Sequence, residues 1–252
     1  MADNTTTIRL DRFLANAGVM SRRGIKQLLK QQELTVNGVR VRESGFRIDT
    51  HKDKILLNGE AIKKPESVYY LVNKPIGIIS TTADEHGRDN VVSLVDSPLR
   101  LYPIGRLDKD THGLILLTND GELTHQLIHP KYHVPKVYKL TISGSASEKQ
   151  MKAMRNGVML DDGVTLPAQA SILYEKNGKS VLLVTLHEGK NRQIRRMCEA
   201  VGLELLDLQR VSFGPIDLGD VELGKYRKLT TEEIKLLKQA VEKTKENNLQ
   251  EQ

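Results

Sequence analysis

The sequence predicts an α+β fold in two parts, a small basic N-terminal domain followed by a larger mixed one, and three observations carry that expectation. Short apolar runs bounded by Gly, Asn and Pro recur through much of the chain, the pattern of short buried strands. Apolar residues at helical spacing form separate segments near the start and again before the C-terminus. Charge is divided unevenly: residues 1–64 hold 13 Lys+Arg against 7 Asp+Glu, whereas residues 65–252 hold 25 of each. The net charge of +6 therefore lies wholly in the first quarter. At 252 residues the chain is long enough for one large domain or two modest ones.

Taken in order, Ile8, Leu10, Phe13, Leu14 and Ala17 share one helical face, and Gly18 is a good stop for that helix. Ser21 is placed to cap a second helix from Arg22 to Gln31, with Ile25, Leu28 and Leu29 on its apolar side. Arg9, Arg12, Arg22, Arg23, Lys26 and Lys30 fall outside the apolar stripe, with Asp11 as the single acid among them. Such a cluster reads as an electrostatic docking unit for a polyanion, the alternative being an ordinary solvated surface. Asn37-Gly38 and Asn58-Gly59, each between apolar residues, are the turn dipeptides of two β-hairpins. The first domain is thus expected over residues 1–62, with a short linker at 63–67. The second domain is expected over 68–241, opening with the strand-like Tyr69-Tyr70-Leu71-Val72 and closing with a helix over 232–241. Residues 242–252 read as a polar, disordered tail.

The segment Gly105-Arg106-Leu107-Asp108-Lys109-Asp110-Thr111-His112-Gly113 stands between Leu101-Tyr102-Pro103-Ile104 and the apolar run Leu114-Ile115-Leu116-Leu117. A carboxylate at such a strand junction is held rigidly and partly out of water, which suits an ionised nucleophile. By local chemistry alone the segment reads equally well as a polar turn. In an extended stretch Arg106 and Asp108 point the same way.

Other classes are excluded by composition. The one cysteine, Cys198, cannot form an internal disulfide and suits a reducing compartment. No apolar stretch reaches membrane-spanning length, and the polar start is not a signal peptide, so a cytoplasmic location and no membrane partner are expected. His125, His129 and His133 recur at helical spacing, but Pro130 interrupts a helix there and no cysteine accompanies them, so no metal is expected. No phosphate-cradling Gly loop is present, so no nucleotide cofactor is expected either.

The Gly105–Gly113 segment, together with Leu117-Thr118-Asn119-Asp120-Gly121, resembles the signature loop of RNA pseudouridine synthases of the RsuA/RluA superfamily. The resemblance continues along most of the chain. It implies a catalytic domain with a mixed, mainly antiparallel sheet and flanking helices around a central cleft, and it implies conversion of uridine to pseudouridine with no cofactor. By it, Asp108 is the catalytic nucleophile. Tyr138, in Lys136-Val137-Tyr138-Lys139-Leu140, is the active-site tyrosine, whose ring can stack on an extruded base; read in isolation, it is an ordinary strand tyrosine. Within Glu188-Gly189-Lys190-Asn191-Arg192-Gln193-Ile194-Arg195-Arg196-Met197, Arg195 is implied as the guanidinium paired with Asp108. Ile194 is implied near the base, with Lys190, Arg192 and Arg196 on the RNA backbone. Arg106 is implied to enter the RNA stack or contact phosphate, the alternative being a salt bridge to Asp110 or Glu122. The two basic helices and the Val36-Asn37-Gly38 hairpin resemble the S4 RNA-binding domain, which implies that Arg9, Arg12, Arg22, Arg23, Lys26 and Lys30 grip an RNA backbone.

An N-terminal S4 module and the third motif point to the RsuA branch, which modifies ribosomal RNA. Thr81-Thr82-Ala83-Asp84-Glu85 and Arg88-Asp89-Asn90 look like members acting on the large subunit. The expected partners are ribosomal RNA and pre-ribosomal particles, and the expected state is a monomer. A small-subunit target, or a non-catalytic RNA-binding or ribosome-assembly protein that keeps the fold, stays open at this point.

Overall fold

The structure is a computed structural model that describes residues 7–63, 65–82 and 89–250. The chain divides into two compact units, the first ending at Val68 and the second opening at Tyr69, with short pieces near residues 98–100 and 119–121 grouped with the first.

In the first unit, strand β1 (Thr7–Arg9) leads into α1 (Leu10–Asn16), then α2 (Arg22–Gln31), β2 (Leu34–Val36), β3 (Val39–Arg40), β4 (Arg47–Asp49), β5 (Ile55–Leu57) and β6 (Glu60–Ala61). The strands form a four-stranded sheet in the order β3-β2-β5-β6 and a separate β1-β4 pair. Leu10, Phe13 and Leu14 of α1 and Ile25, Leu28 and Leu29 of α2 close over Leu34, Val36, Val41, Ile48 and Ile55. Burying each such side chain stabilises by about 1.5–3 kcal/mol. Ser21 caps α2, its hydroxyl accepting from Gly24 N at 3.1 Å. Both Asn-Gly pairs are left-handed (Asn37 φ 52°, Gly38 79°; Asn58 50°, Gly59 85°), the backbone that two-residue hairpins of this twist require. One expectation is corrected: Ile8 lies in a strand, not a helix. It pairs with Ile48, and the helix begins only at Leu10, after an extended Arg9.

The second unit runs β7 (Tyr69–Lys74), β8 (Tyr102–Ile104), β9 (His112–Thr118), α3 (Gly121–Ile128), β10 (Lys136–Ser143), α4 (Glu148–Asn156), β11 (Met159–Leu160), β12 (Gly163–Val164), β13 (Gln169–Lys176), β14 (Lys179–Leu186), α5 (Gln193–Ala200), β15 (Leu205–Phe213), β16 (Ile216–Asp217), β17 (Tyr226–Lys228) and α6 (Thr231–Gln250). Its sheet follows the order β13-β14-β10-β15-β9-β7-β17, with β8 beside β9 and β16 beside β15. The β9-β15 neighbours are parallel and the remaining pairs antiparallel. One apolar cluster gathers α4 and α5 against β10, β14 and β15, and a second gathers α3 and α6 against β7, β9 and β16.

Two further expectations meet the structure here. The closing helix begins at Thr231 and continues to Gln250, through residues expected as a disordered tail. Lys, Glu, Gln and Leu dominate that stretch, and all are good helix formers. The motif residues 83–88 lie outside the described residues. No helix among the described residues is long and apolar enough to cross a membrane.

Candidate active site

The loop between β8 and β9 is held from several sides. Ser80 is buried, and its hydroxyl donates to Leu107 O at 2.8 Å and accepts from Leu107 N at 3.0 Å. One side chain thus satisfies both peptide groups of the residue before Asp108. Gly77 N donates to Lys109 O at 2.8 Å, and Thr111 N donates to Asp108 O at 3.1 Å, closing a tight turn. Leu107 is sunk into the core. A loop so fixed can present Asp108 with little conformational freedom left to lose.

Asp108 is half-buried and lines a cleft of about 420 Å³. Its carboxylate makes no hydrogen bond and no ion pair among the described residues, although Lys74 and Arg192 both lie within its electrostatic reach. The expected Arg195 partnership with Asp108 is corrected. Arg195 Nε lies 3.2 Å from Asp110 Oδ2, and its Nη2 donates to Asp110 O at 2.7 Å and Thr111 Oγ1 at 3.4 Å. Arg192 also goes to Asp110, end-on, with both contacts at 3.1 Å. Burial opposes ionisation of Asp110, but the Arg192 hydrogen bonds and the Arg195 charge outweigh it and hold the carboxyl below its ordinary value.

Tyr138 stands on β10 at a register shift between Val137 and Tyr138, opposite Arg210 of β15. A bulge at that position re-aims the side chain. Tyr138 is partly buried, packs on the β10–α5 core and lines the cleft with Arg195 and Ile194.

Three cations that the sequence did not single out complete the centre. Arg210 is 2% exposed; its Nε donates to Leu114 O at 2.7 Å and its guanidinium lies 5.2 Å from the Phe213 ring centre. Burial lowers its pKa, with the neighbouring Tyr138 hydroxyl acting in the opposite sense. Lys136 Nζ donates to Val134 O at 2.8 Å, and burial, reinforced by Arg210 and opposed by Glu188, lowers its pKa to about 8. Lys74 is fully buried and donates to Pro75 O and Ile78 O at 3.0 and 2.7 Å. Burial takes it down to about 8 as well, opposed by Asp110 and Asp108 and aided by Arg210. One signal for Arg210 did exist in the sequence: it shares the inward register of β15 with Leu208 and Ser212, where a lone Arg is out of place.

The remaining expected contacts separate. Arg106 is exposed at the cleft and forms no salt bridge to Asp110 or Glu122. Ile194 is buried at the cleft wall. Lys190 lines the cleft, yet its Nζ donates to the carbonyls of Asp162, Gly163 and Val164 at 3.0–3.3 Å, stapling the β11-β12 turn. Arg196 is paired end-on with Asp162 at 2.9 and 3.1 Å and is not among the cleft-lining residues. His129, His133 and His187 form part of the cleft rim, and no group of three His, Cys, Asp or Glu able to hold a metal occurs among the described residues. In the first unit, Asp11 is buried rather than solvated, and its carboxylate takes both Arg9 and Arg22 at 3.1 Å. Arg23, Lys26 and Lys30 are exposed along α2, and Arg12 is half-buried.

Residues 68–200 match the model of the RNA pseudouridylate synthase family, and residues 8–55 match the S4 domain. The chain is 42% identical over 233 residues to the ribosomal large subunit pseudouridine synthase B of Bacillus subtilis, covering 91% of this chain and 95% of that one. It is 35% identical to the dual-specificity RNA pseudouridine synthase RluF of Escherichia coli, covering 91% of this chain and 78% of the relative. A crystal structure of a pseudouridylate synthase superposes on 91% of this chain and 99% of its own with a TM-score of 0.66 at 32% identity. With a loop, a cleft and a small N-terminal unit that agree with these matches, the chain belongs to the RNA pseudouridylate synthase family and carries an S4 domain ahead of its catalytic part.

Proposed function

We propose that the protein isomerises a uridine of large-subunit ribosomal RNA to pseudouridine, with Asp108 as nucleophile. The carrying observation is Asp108 itself, a carboxylate with no hydrogen bond or ion pair among the described residues, on a braced loop and facing a cleft backed by buried cations. The reaction breaks the bond from ribose C1′ to uracil N1 and rejoins the base through C5, so it needs no electron acceptor. Asp108 supplies the attacking oxygen, at the base or at the ribose. Tyr138 offers a ring for the extruded base to stack on, and Arg106 stands where the base left the RNA. Lys136 and Arg210 line the same cleft and stabilise negative charge that develops on the uracil carbonyls. The named large-subunit relative supports the target, which is met by a cytoplasmic monomer as RNA or as a pre-ribosomal particle. Mapping of pseudouridine in ribosomal RNA from cells with and without the protein tests this reading. One large-subunit site should vanish with the protein; an unchanged map would refute it.

The exposed cations of α2 are assigned to the RNA backbone. Changing Arg23, Lys26 and Lys30 together to Gln should weaken RNA binding. It should also flatten the plot of log affinity against log salt by roughly 0.7–0.9 for each phosphate no longer neutralised. An unchanged slope would place the docking charge elsewhere.

Lys74 and Lys136, both near pKa 8 in the free protein, give a pH signature. An RNA phosphate favours their charged forms, so binding takes up protons where the free lysines have begun to lose them. Affinity should fall as pH rises through 8. At pH 8.5 the calorimetric binding enthalpy should change with the ionisation enthalpy of the buffer, in the direction of uptake. Lys136→Met should reduce that dependence. The same shift has a stability sign: both folded values lie below the unfolded one, so the lysines oppose folding below pH 8 and cease to do so as pH approaches 10.5.

A further inference from the structure

Asp110 has no place in the chemistry above, yet it receives more of the cleft's positive charge than Asp108 does. It is not among the residues lining the cleft, whereas Arg192 and Arg195 both are. Its two carboxylate oxygens take the two terminal nitrogens of Arg192, and Oδ2 also stands 3.2 Å from Arg195 Nε. Its own backbone carbonyl takes Arg195 Nη2. Side chain and main chain of one residue therefore fix two guanidiniums from behind. Arg192 is left-handed (φ 47°) at the start of α5, and its side chain makes no capping hydrogen bond there. Its contact is with a loop 82 residues away in sequence. An end-on pair uses only two of the five N–H donors on a guanidinium, leaving others for a second anion. One carboxylate facing two guanidiniums also leaves one positive charge uncompensated.

We propose that Asp110 is a positioning residue, holding Arg192 and Arg195 as one preformed cationic fork that takes an RNA phosphate next to the target uridine. The inference rests on the reading of the cleft as the RNA site and deepens it. A loose arginine would have to be ordered when RNA binds, and a held one is ordered beforehand. Asp110 and Asp108 share one short loop, so the fork and the nucleophile keep a fixed separation. That makes the fork a gauge for where the ribose must sit. The acid has an electrostatic effect of opposite sign: it subtracts one charge from the cleft, so it lowers affinity for RNA of any sequence while improving placement.

Those two effects part in the Asp110→Asn variant. Its kcat on substrate RNA should fall on the order of 10- to 100-fold, the cost of a misplaced reactant. Its affinity for unrelated single-stranded RNA should not fall, and its salt slope should steepen by up to about 0.7. Asp110→Glu, which restores the charge, should return the salt slope to wild type and part of kcat. A purely structural role would instead lower kcat, binding and melting temperature together. That pattern, a wild-type kcat in the Asn variant, or a Glu variant no better than Asn would each overturn the proposal. Should the Asn variant not fold, Arg192→Lys decides. It keeps the charge but gives up the end-on pair, so kcat should fall several-fold at an unchanged salt slope, and a wild-type kcat would reject the fork. An inactive wild-type protein would sink the isomerase reading itself, while the salt-slope comparison of Asp110→Asn would still report on the fork.

Discussion

Asp108→Asn is expected to abolish isomerisation, by on the order of 10⁴-fold or more, and to leave folding and RNA binding intact. The size follows from the chemistry, since an amide of the same shape cannot attack carbon as an anion does. The selectivity follows from the surroundings. The loop is braced through the backbone of Leu107, Asp108 and Lys109, by Ser80, Thr111 and Gly77, and not through the Asp108 carboxylate. Removing the charge therefore breaks no hydrogen bond and no ion pair in the described structure. It also removes an anion near Lys74 and Arg192, so RNA affinity should hold or rise slightly. Tritium release from C5-labelled RNA measures the chemistry, and filter binding with a melting curve measures the rest. Turnover within tenfold of wild type in a fully folded sample would remove Asp108 from its role.

Local features of the fold were legible because local chemistry decides them. Ser21 as a cap, the Asn37-Gly38 and Asn58-Gly59 turns and the strand-junction position of Asp108 depend on neighbours within a few residues. What the chain hid depends on pairing at long range. Lys74 and Lys136 are unremarkable in their strand sequences, and Arg210 is only a lone Arg on an inward register, until β15 is laid parallel to β9 and β10 between β14 and β15. Only that order makes them a buried cationic floor. The choice of Arg195 between Asp108 and Asp110 was equally out of reach. It depends on the turn from Asp108 O to Thr111 N, which presents the two acids differently although they stand only two residues apart. Lys190 and Arg196 read as free phosphate ligands because the acid that occupies them, Asp162, belongs to a remote hairpin.

Gly113→Ala should be the most damaging single methyl group that can be added to the site. Gly113 has φ 104°, in the region that L residues avoid, and a Cβ there would stand 2.2 Å from Arg210 O, 2.8 Å from Arg210 N and 3.0 Å from Arg210 C. The obstacle is backbone, so no rotamer change relieves it. Retreat is blocked too, because Gly113 pairs with Lys74 of β7 on one side and Arg210 of β15 on the other. Strain of about 1–3 kcal/mol from the dihedral and a similar amount from overpacking give a destabilisation of roughly 3 kcal/mol or more. At about 2–4 °C per kcal/mol for a domain of this size, the melting temperature should drop by about 6–12 °C. Activity should fall further than the folded fraction, because the strand forced apart carries Arg210, the partner of Tyr138. Gly77→Ala is the matched control: its φ of 93° is as unfavourable, but its added Cβ meets nothing within 4 Å, so it should show the strain alone. If Gly113→Ala melts no lower than Gly77→Ala, the contact with Arg210 is not what requires glycine, and the rigid junction of β9 and β15 beneath the cleft is not what holds the buried cations in place.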